Sequence, residues 1–206
     1  TVSKRKGRNF FLWLDSFDPH EPWDPPPQYT DMYPVPDYDG LPIIWSGGSV
    51  KDFTLPEIRH VRSQYAGTIT LVDKRTGMFL EKIRELGLLD NTMIIIISDH
   101  GEPLGEHGIV TKMQPWPYDE LSRIPLFIRL PDGMEAKRRV DAFANTPDIA
   151  PTILSFLEVE MPMEIGVETL MNGKNLLPIM RGEEEGMKFA ISGFHMGKWS
   201  IRNYKW

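Results

Sequence analysis

Cysteine is absent from all 206 residues of the sequence, and its absence excludes several kinds of chemistry within them. A disulfide, a thiolate metal site and a cysteine nucleophile each need a side chain that this sequence does not contain. The absence does not fix a cellular compartment, because many secreted proteins also lack disulfides. Localisation therefore stays unknown at this stage.

Long apolar runs and clustered positive charge are missing as well. No segment approaches the roughly 20 apolar residues of a membrane-spanning helix, so we expect no membrane span. The net charge is −6 and the basic residues cluster only at 4–8, which argues against a nucleic-acid partner. No signal peptide is found. The chain opens on Thr1 without a methionine and closes within an expected strand, so we expect both ends to be truncations.

The sequence does contain enough apolar material for a folded core. Hydrophobic residues make up 41% of the chain and charged residues 25%, which is ordinary for a globular protein. The length predicts a single domain or a large piece of one. We interpret residues 1–206 as one partial α/β domain, with a metal- and anion-binding portion at 9–135 and a C-terminal helix and strands at 136–206. The oligomeric state is not indicated.

The hydrophobic pattern predicts alternating strands and helices. Predicted strands lie at 9–14, 93–97, 124–129, 188–192 and 198–201, and predicted helices lie at about 55–87 and from Thr146 onward. The prolines between 25 and 42 are expected to exclude helix and central strand there. The order of elements favours an α/β sandwich whose sheet is largely parallel and flanked by helices. Such sheets bind ligands beyond the carboxyl ends of their strands, where His20, Asp99 and His100 fall.

Asp99 and His100 are the strongest chemical signal in the residues themselves. They follow a predicted buried strand and precede Gly101, and in such a turn a carboxylate and an imidazole can reach one cation. Oxygen and nitrogen ligands together suit a divalent ion such as Ca²⁺, Mn²⁺ or Zn²⁺. The tripeptide Asp-His-Gly also occurs in ordinary hydrogen-bonded turns, so on its own it leaves both interpretations open.

The wider context resembles the sulfatase family of the alkaline phosphatase superfamily. The segment 98–108, Ser-Asp-His-Gly-Glu-Pro-Leu-Gly-Glu-His-Gly, has the family's pattern after a strand. Other segments are similar to family motifs in the family's order: 18–23 ("PHxPW"), Lys112 at twelve positions beyond His100, 118–126 ("YEE…R(V/I)PL") and 146–154 ("DLAPTLL"). The matching pieces run from about 10 to 177, so chance is a poor explanation. The resemblance implies an alkaline phosphatase-like sandwich.

The resemblance also implies a role for each matched residue. Asp99 and His100 would be metal ligands, with Ca²⁺ the first choice and Mn²⁺ and Zn²⁺ the alternatives. His20 and Lys112 would contact the sulfate or the leaving-group oxygen as catalytic and substrate-binding residues. A lysine ammonium can hold a non-bridging oxygen, and an imidazole can protonate a departing alkoxide. His107 would line the substrate pocket or orient its loop.

The family's nucleophile motif is not in this sequence. In the family a Cys or Ser of that motif becomes formylglycine, whose hydrate attacks sulfur, and we expect formylglycine in an N-terminal part that is missing here. The nearest match, 54–59, falls at a helix start where Thr54 is better explained as a cap. Two ligands cannot satisfy the six or more oxygens that Ca²⁺ usually takes. We therefore predict that this chain alone is inactive and binds metal weakly.

Three hypotheses follow for the parent protein. The leading one is metal-dependent hydrolysis of a small-molecule or saccharide sulfate ester. The alternative keeps the fold and the metal but hydrolyses phosphonate monoesters or phosphodiesters, or transfers a phospho group, and His100 in place of Asn slightly favours it. The third is a non-catalytic module that retains the fold, against which the intact candidate residues argue.

Several other residues carry weaker signals. Trp23 and Trp116 could wall a substrate pocket, although packing is the commoner explanation for a tryptophan. Asp119 is predicted to stabilise its loop or to pair with Arg123. His60 lies in the predicted long helix between charged residues, and we expect it to be exposed.

Overall fold

The computed structural model describes residues 9–44, 47–112, 117–134, 136–160, 172–194 and 197–205. They form two units. The first unit holds the described residues up to Thr92 and those of 102–112, and the second holds 93–101 and the described residues from 117 onward. The helices and strands in chain order are α1 (Pro27–Thr30), β1 (Gly48–Ser49), α2 (Leu55–Glu85), β2 (Ile94–Ile97), β3 (Ile109–Val110), α3 (Asp119–Ser122), β4 (Leu126–Arg129), α4 (Ile149–Phe156), α5 (Leu177–Arg181), β5 (Phe189–Phe194) and β6 (Lys198–Asn203).

Helix α2 dominates the first unit and begins at a capping box. The Thr54 side chain accepts a hydrogen bond from Glu57 N at 3.4 Å, and the Glu57 carboxylate accepts one from Thr54 N at 2.7 Å. These two bonds satisfy backbone donors that have no partner within the helix. The helix ends before Gly87, which has φ +67° and stops it as predicted. The predicted helix and the capping role of Thr54 are confirmed.

Trp23 anchors the core of the first unit. It is 1% exposed and packs with Val50, Val61 and Val110, and its ring meets Tyr65 edge-on at a centroid distance of 5.1 Å. The short strands β1 and β3, which the sequence pattern did not predict, pair antiparallel. The packing interpretation of Trp23 is confirmed, because a side chain this buried cannot wall an open pocket. Trp116 lies outside the described residues.

The Pro-rich segment contains a helix, so the expectation that its prolines exclude one is wrong. Helix α1 begins at Pro27, at the first helical position, where a missing N–H costs nothing and the fixed φ suits the helix. Tyr33, after α1, bonds through its hydroxyl to Thr70 Oγ1 on α2 at 2.6 Å. Lys74 Nζ lies 5.6 Å from the centre of the Tyr29 ring. These contacts pack the segment against α2.

The predicted strand at 9–14 does not form. Its backbone takes no strand pairing with any described residue, and the side chains of 11–14 are exposed, with Phe11 at 65% and Trp13 at 72%. Strand composition alone does not make a strand, because the backbone N–H and C=O groups need a partner ladder. The next segment, 18–23, which carries the "PHxPW" motif, forms a turn.

The second unit contains the predicted strands at 93–97 and 124–129 as β2 and β4. They pair antiparallel, with Ile94 opposite Arg129 and Ile97 opposite Leu126, and β5 and β6 form an antiparallel hairpin. The expected largely parallel sheet differs from these pairings. Parallel neighbouring strands require a long crossover connection, usually a helix. Among the described residues between β2 and β4, the only helix is the four-residue α3.

A 3-10 turn, Thr146–Asp148, leads into helix α4, which begins at Ile149. Asn145 caps this turn, and its backbone N donates to Asp148 Oδ2 at 2.7 Å. Asp148 is 4% exposed and also accepts from Lys174 N at 2.7 Å. The acidic residue therefore serves two backbone donors at once. Within the described part of the chain, none of the helices has the length and apolar character that a membrane crossing needs.

Candidate active site

A tight turn presents His20 in the first unit. Trp23 Nε1 donates to Pro19 O at 2.9 Å, so the buried indole ties the turn to the core. Arg75 of α2 donates to the Asp18 carboxylate at 2.9 Å and holds the other side of the turn. His20 itself is half-buried. The turn is thus fastened to the core through Trp23 and to α2 through Arg75.

Lys112 approaches His20 from the end of β3. Its neighbour Thr111 is fully buried and has φ +72°, in the left-handed region. A β-branched residue there is a genuine outlier, and it persists only where the surroundings hold it. The Thr111 N–H donates to Pro103 O at 3.0 Å, which fixes that backbone. This strained residue sets the direction in which the chain delivers Lys112.

The two predicted catalytic residues meet. Lys112 Nζ lies 2.7 Å from His20 Nε2, and His20 Nδ1 lies 2.7 Å from Glu21 O. A carbonyl oxygen can only accept, so Nδ1 carries the proton and Nε2 accepts from the ammonium. The ring of Phe17 stacks on the imidazole at a centroid distance of 4.6 Å. The first unit therefore holds a positively charged donor and a neutral imidazole as one hydrogen-bonded pair.

Two carboxyl groups accompany this pair, and neither was predicted. Glu21 Oε2 lies 3.3 Å from His20 Nδ1. Burial, and after it the charge of Glu21, raise the pKa of Glu102 to about 7, and the charge of Lys112 opposes both. Glu21 occupies the variable position of the "PHxPW" pattern, and Glu102 lies in the segment after His100. Neither position indicated a functional role in the sequence.

Asp99 and His100 lie side by side in the second unit, directly after β2. The His100 N–H donates to Asp99 Oδ1 at 2.9 Å, and His100 Nδ1 donates to Gly101 O at 2.7 Å. The second bond leaves Nε2 as the unprotonated ring nitrogen, 3.7 Å from Asp99 Oδ2. The Asp99 side chain is 88% exposed and that of His100 30%. An orienting bond of this kind on Nδ1 is typical of metal-ligating histidines.

Gly101 is the hinge of this turn and has no room for a side chain. Its N–H donates to Leu121 O at 2.7 Å, and the Glu120 carbonyl oxygen occupies the place where a Cβ would stand. The absence of a side chain allows the chain to turn sharply after His100. The turn predicted at this glycine is therefore present.

The donor set of Asp99 and His100 fits a divalent cation as two ligands of a larger site. One carboxylate oxygen and one imidazole nitrogen face the same region and suit Ca²⁺, Mn²⁺ or Zn²⁺. Among the residues that the structure describes, no group of three or more His, Cys, Asp or Glu side chains is arranged to hold a metal ion. The remaining ligands would have to come from elsewhere.

The other residues singled out in the sequence have varied positions. His107 is exposed in the turn before β3. Its sequence neighbour Glu106 forms an ion pair with Arg62 of α2 at 3.3 Å. Asp119 forms an ion pair with Arg202 of β6 instead of one with Arg123, whose backbone N–H bonds to the Asp119 carbonyl. An ion pair with so distant a residue could not be found from local sequence.

His60 is not the exposed residue that was expected. Its ring stacks on Tyr38 at a centroid distance of 4.4 Å, and Gln64 Nε2 lies 3.1 Å from His60 Nε2. Burial lowers the pKa of His60. The Pro-rich segment covers this helix face, and that long-range contact is what local helical periodicity could not indicate.

Comparison with known proteins decides the family. A family model with the description Sulfatase matches residues 1–159. The chain belongs to the sulfatase family. The match covers the predicted site residues of both units, so the resemblance drawn from short motifs is confirmed over most of the chain.

Two curated sulfatases are similar in sequence. An arylsulfatase of Clostridium perfringens is 30% identical over 170 residues, which cover 74% of this chain and 35% of that protein. An N-acetylglucosamine-6-O-sulfatase of Bacteroides thetaiotaomicron is 38% identical over 119 residues, which cover 58% of this chain and 20% of that protein. The sulfatase chain described here thus spans about a third or less of the length of these relatives.

A solved structure supports the fold class. The phosphonate monoester hydrolase of Agrobacterium radiobacter matches with a TM-score of 0.74 and 25% identity, over 92% of this chain and 43% of that one. The alkaline phosphatase-like α/β class is therefore confirmed for this member of the sulfatase family. The described strands are a part of such a domain.

Proposed function

We propose that this chain supplies part of the active site of a sulfuric ester hydrolase that acts on a small-molecule or saccharide sulfate ester. The observation that carries the proposal is the 2.7 Å contact between Lys112 Nζ and His20 Nε2. Membership of the sulfatase family and the sulfatase activities named for its relatives support it. A non-catalytic module would not require this hydrogen-bonded pair.

The chemistry of sulfate ester cleavage suits this pair. The bond between sulfur and the bridging oxygen breaks, and negative charge grows on the oxygen that leaves. Lys112 carries a compact positive charge that can hold a sulfuryl oxygen or supply a proton. His20 accepts that proton at Nε2 and presents it to the leaving oxygen. The geometry therefore supports an acid made of two residues, whereas the sequence suggested His20 by itself.

A divalent metal held by Asp99 and His100 would supply Lewis-acid charge that polarises the sulfuryl group. The nucleophile, for which formylglycine is the expectation, and the other metal ligands would come from residues outside this sequence. The role proposed for His20 and Lys112 is to bind the sulfate anion and to deliver a proton to the leaving oxygen.

The test uses the full-length protein and two ester classes. We expect it to hydrolyse 4-nitrophenyl sulfate with a higher kcat/KM than a phenyl phosphonate monoester. Lys112→Ala should lower kcat/KM for the sulfate by about 10²-fold or more, because the positive charge that holds the sulfuryl oxygens in the transition state is lost. Lys51→Ala, an exposed lysine of the same unit, is the matched control and should stay within about twofold.

A second candidate is hydrolysis of phosphonate monoesters or phosphodiesters. The match of 92% of this chain to a phosphonate monoester hydrolase structure favours it. The Asp99 and His100 pair is compatible with both ester classes. A higher kcat/KM for the phosphonate than for the sulfate would establish this candidate over the first. Absence of hydrolysis of either ester would promote a non-catalytic role.

A further inference from the structure

The Glu21 carboxylate occupies an unusual position for a charged group. Its side chain is only 12% exposed, and its Oε2 atom is buried with no hydrogen-bond partner among the described residues. That same atom lies 3.3 Å from His20 Nδ1. Burial of an unpaired carboxylate is costly, and a nearby group that can become cationic offsets the cost. His20 is the group at that distance.

Glu21 contacts the imidazole twice. Its carbonyl oxygen accepts from Nδ1 at 2.7 Å, and its carboxylate lies beside the same nitrogen. On the opposite side of the ring, Nε2 faces the Lys112 ammonium at 2.7 Å. The imidazole thus lies between an anion and a cation, in a line of three side chains. The further carboxyl of Glu102 is electrostatically coupled to both ends of this line.

We propose that Glu21 is the positioning residue of the proton-delivering pair: it holds the His20 ring in the Nδ1–H tautomer and stabilises the imidazolium that forms when Nε2 takes a proton from Lys112. The inference deepens the proposed function and rests on it. A carboxylate beside the second ring nitrogen of a catalytic histidine orients the ring and stabilises its cationic form. Glu21 touches neither the ester nor the leaving oxygen and acts through His20.

The proton transfers balance without an added reactant. The Lys112 N–H bond breaks as the Nε2–H bond forms, and the positive charge moves onto the imidazole, next to the Glu21 carboxylate. The Nε2–H bond then breaks as an O–H bond forms on the leaving oxygen. The products are a neutral alcohol or phenol and a neutral lysine amine, which regains its proton from water.

The decisive experiment measures how strongly the rate depends on the leaving group. Proton delivery matters little when 4-nitrophenolate leaves and much when unsubstituted phenolate leaves. We therefore expect Glu21→Gln to lose about tenfold more kcat/KM on phenyl sulfate than on 4-nitrophenyl sulfate. Glu81→Gln, an exposed glutamate on α2, is the matched control and should change both rates little and equally. Glu21→Asp should recover part of the loss.

Parallel losses on both esters, or none, would overturn the role of Glu21 while leaving the sulfatase proposal intact. If the wild-type protein hydrolyses no sulfate ester, the proposed function fails by itself. Imidazole NMR then tests Glu21 separately: the residue-21 carbonyl and Lys112 hold the Nδ1–H tautomer in both proteins, and we expect the Nδ1–H proton to resonate further downfield in the wild type than in Glu21→Gln, which lacks the charged carboxylate beside it. An identical Nδ1–H shift in both proteins would reject the inference. Thermal unfolding of each variant confirms that it is folded.

Discussion

At the scale of single residues, one carboxyl group couples the stability of the chain to pH. Burial, and after it the charge of Glu21, raise the pKa of Glu102 from 4.5 to about 7. The folded state then binds this proton more tightly than the unfolded state. Such a group contributes its full stabilisation below pH 4.5 and loses it as the pH rises toward 7.

We therefore expect Glu102→Gln to reduce the pH dependence of stability. In the metal-free protein, wild-type stability should fall between pH 4.5 and 7 by about 1 to 2 kcal/mol more than that of the variant, a figure reduced for partial exposure. Urea unfolding at both pH values in a chelator measures it. Glu184→Gln, at an exposed position, should keep the wild-type slope. Equal slopes for wild type and Glu102→Gln would contradict the prediction.

The same scale shows what the sequence could predict at the site. His20 was predicted from its fixed position in a motif and Lys112 from its spacing to His100, and the structure shows only that the two side chains lie within hydrogen-bond distance. Glu21 was not predicted, because its importance depends on a ring nitrogen 3.3 Å away and on burial, and neither leaves a mark in local sequence. The strained backbone of Thr111 was hidden for the same reason.

At the scale of elements, two glycines of α2 should respond to alanine in opposite ways. A methyl group added at Gly77 would meet no atom within 4 Å, so Gly77→Ala should stabilise the protein by about 0.5 to 1 kcal/mol through helix propensity. A Cβ on Gly67 would lie 3.1 Å from Pro25 Cγ and 3.2 Å from Thr30 N, so Gly67→Ala should destabilise by about 1 to 3 kcal/mol.

Urea midpoints of the two variants test this pair in one experiment. The helix, the substitution and the added methyl group are the same, so a difference between them reports on the packing of the Pro-rich segment against α2. Stabilisation by both alanines would mean that the segment does not lie on α2 in solution.

The start of α2 gives a further prediction at this scale. Thr54→Ala removes the capping box and should cost about 1 kcal/mol at neutral pH. Hydrogen bonds from Thr54 lower the pKa of Glu57, so the contribution of this pair is present above pH 4.5 and is lost as the pH falls below it. Unfolding at pH 7 and about pH 3 should show the cost shrinking in acid. An undiminished cost at low pH would show that the carboxylate has no part in the cap.

Elements were predicted well where one local signal was strong. Helix α2 has a long apolar repeat with a cap at one end and Gly87 at the other, and all of these lie within its own sequence. The prediction of a strand at 9–14 was wrong because a strand needs a neighbouring strand to pair with, which its own composition does not supply. Helix α1 was missed because a proline that breaks a helix interior is favourable at the first position.

At the scale of the whole molecule, the sequence lacks the nucleophile motif of its family. The match covers 35% of the arylsulfatase that the chain resembles, and the chain carries a candidate anion-binding pair and two candidate metal ligands. Large apolar side chains such as Phe11, Trp13 and Phe127 are each at least 65% exposed. The missing nucleophile motif and the two candidate ligands predict how this chain by itself behaves toward an ester and a metal ion.

We expect this 206-residue chain to bind Ca²⁺ or Mn²⁺ weakly and to hydrolyse no sulfate ester. Ca²⁺ takes about six to eight oxygen ligands, whereas Asp99 and His100 offer one carboxylate and one imidazole, and the remaining positions would be filled by water. Calorimetric titration should give a Kd near or above about 1 mM, and Asp99→Asn with His100→Ala should abolish the remaining heat. Glu81→Gln is the control and should leave it unchanged. A Kd in the low micromolar range would mean that further ligands are present in this chain, and the two-ligand account of the site would then be wrong.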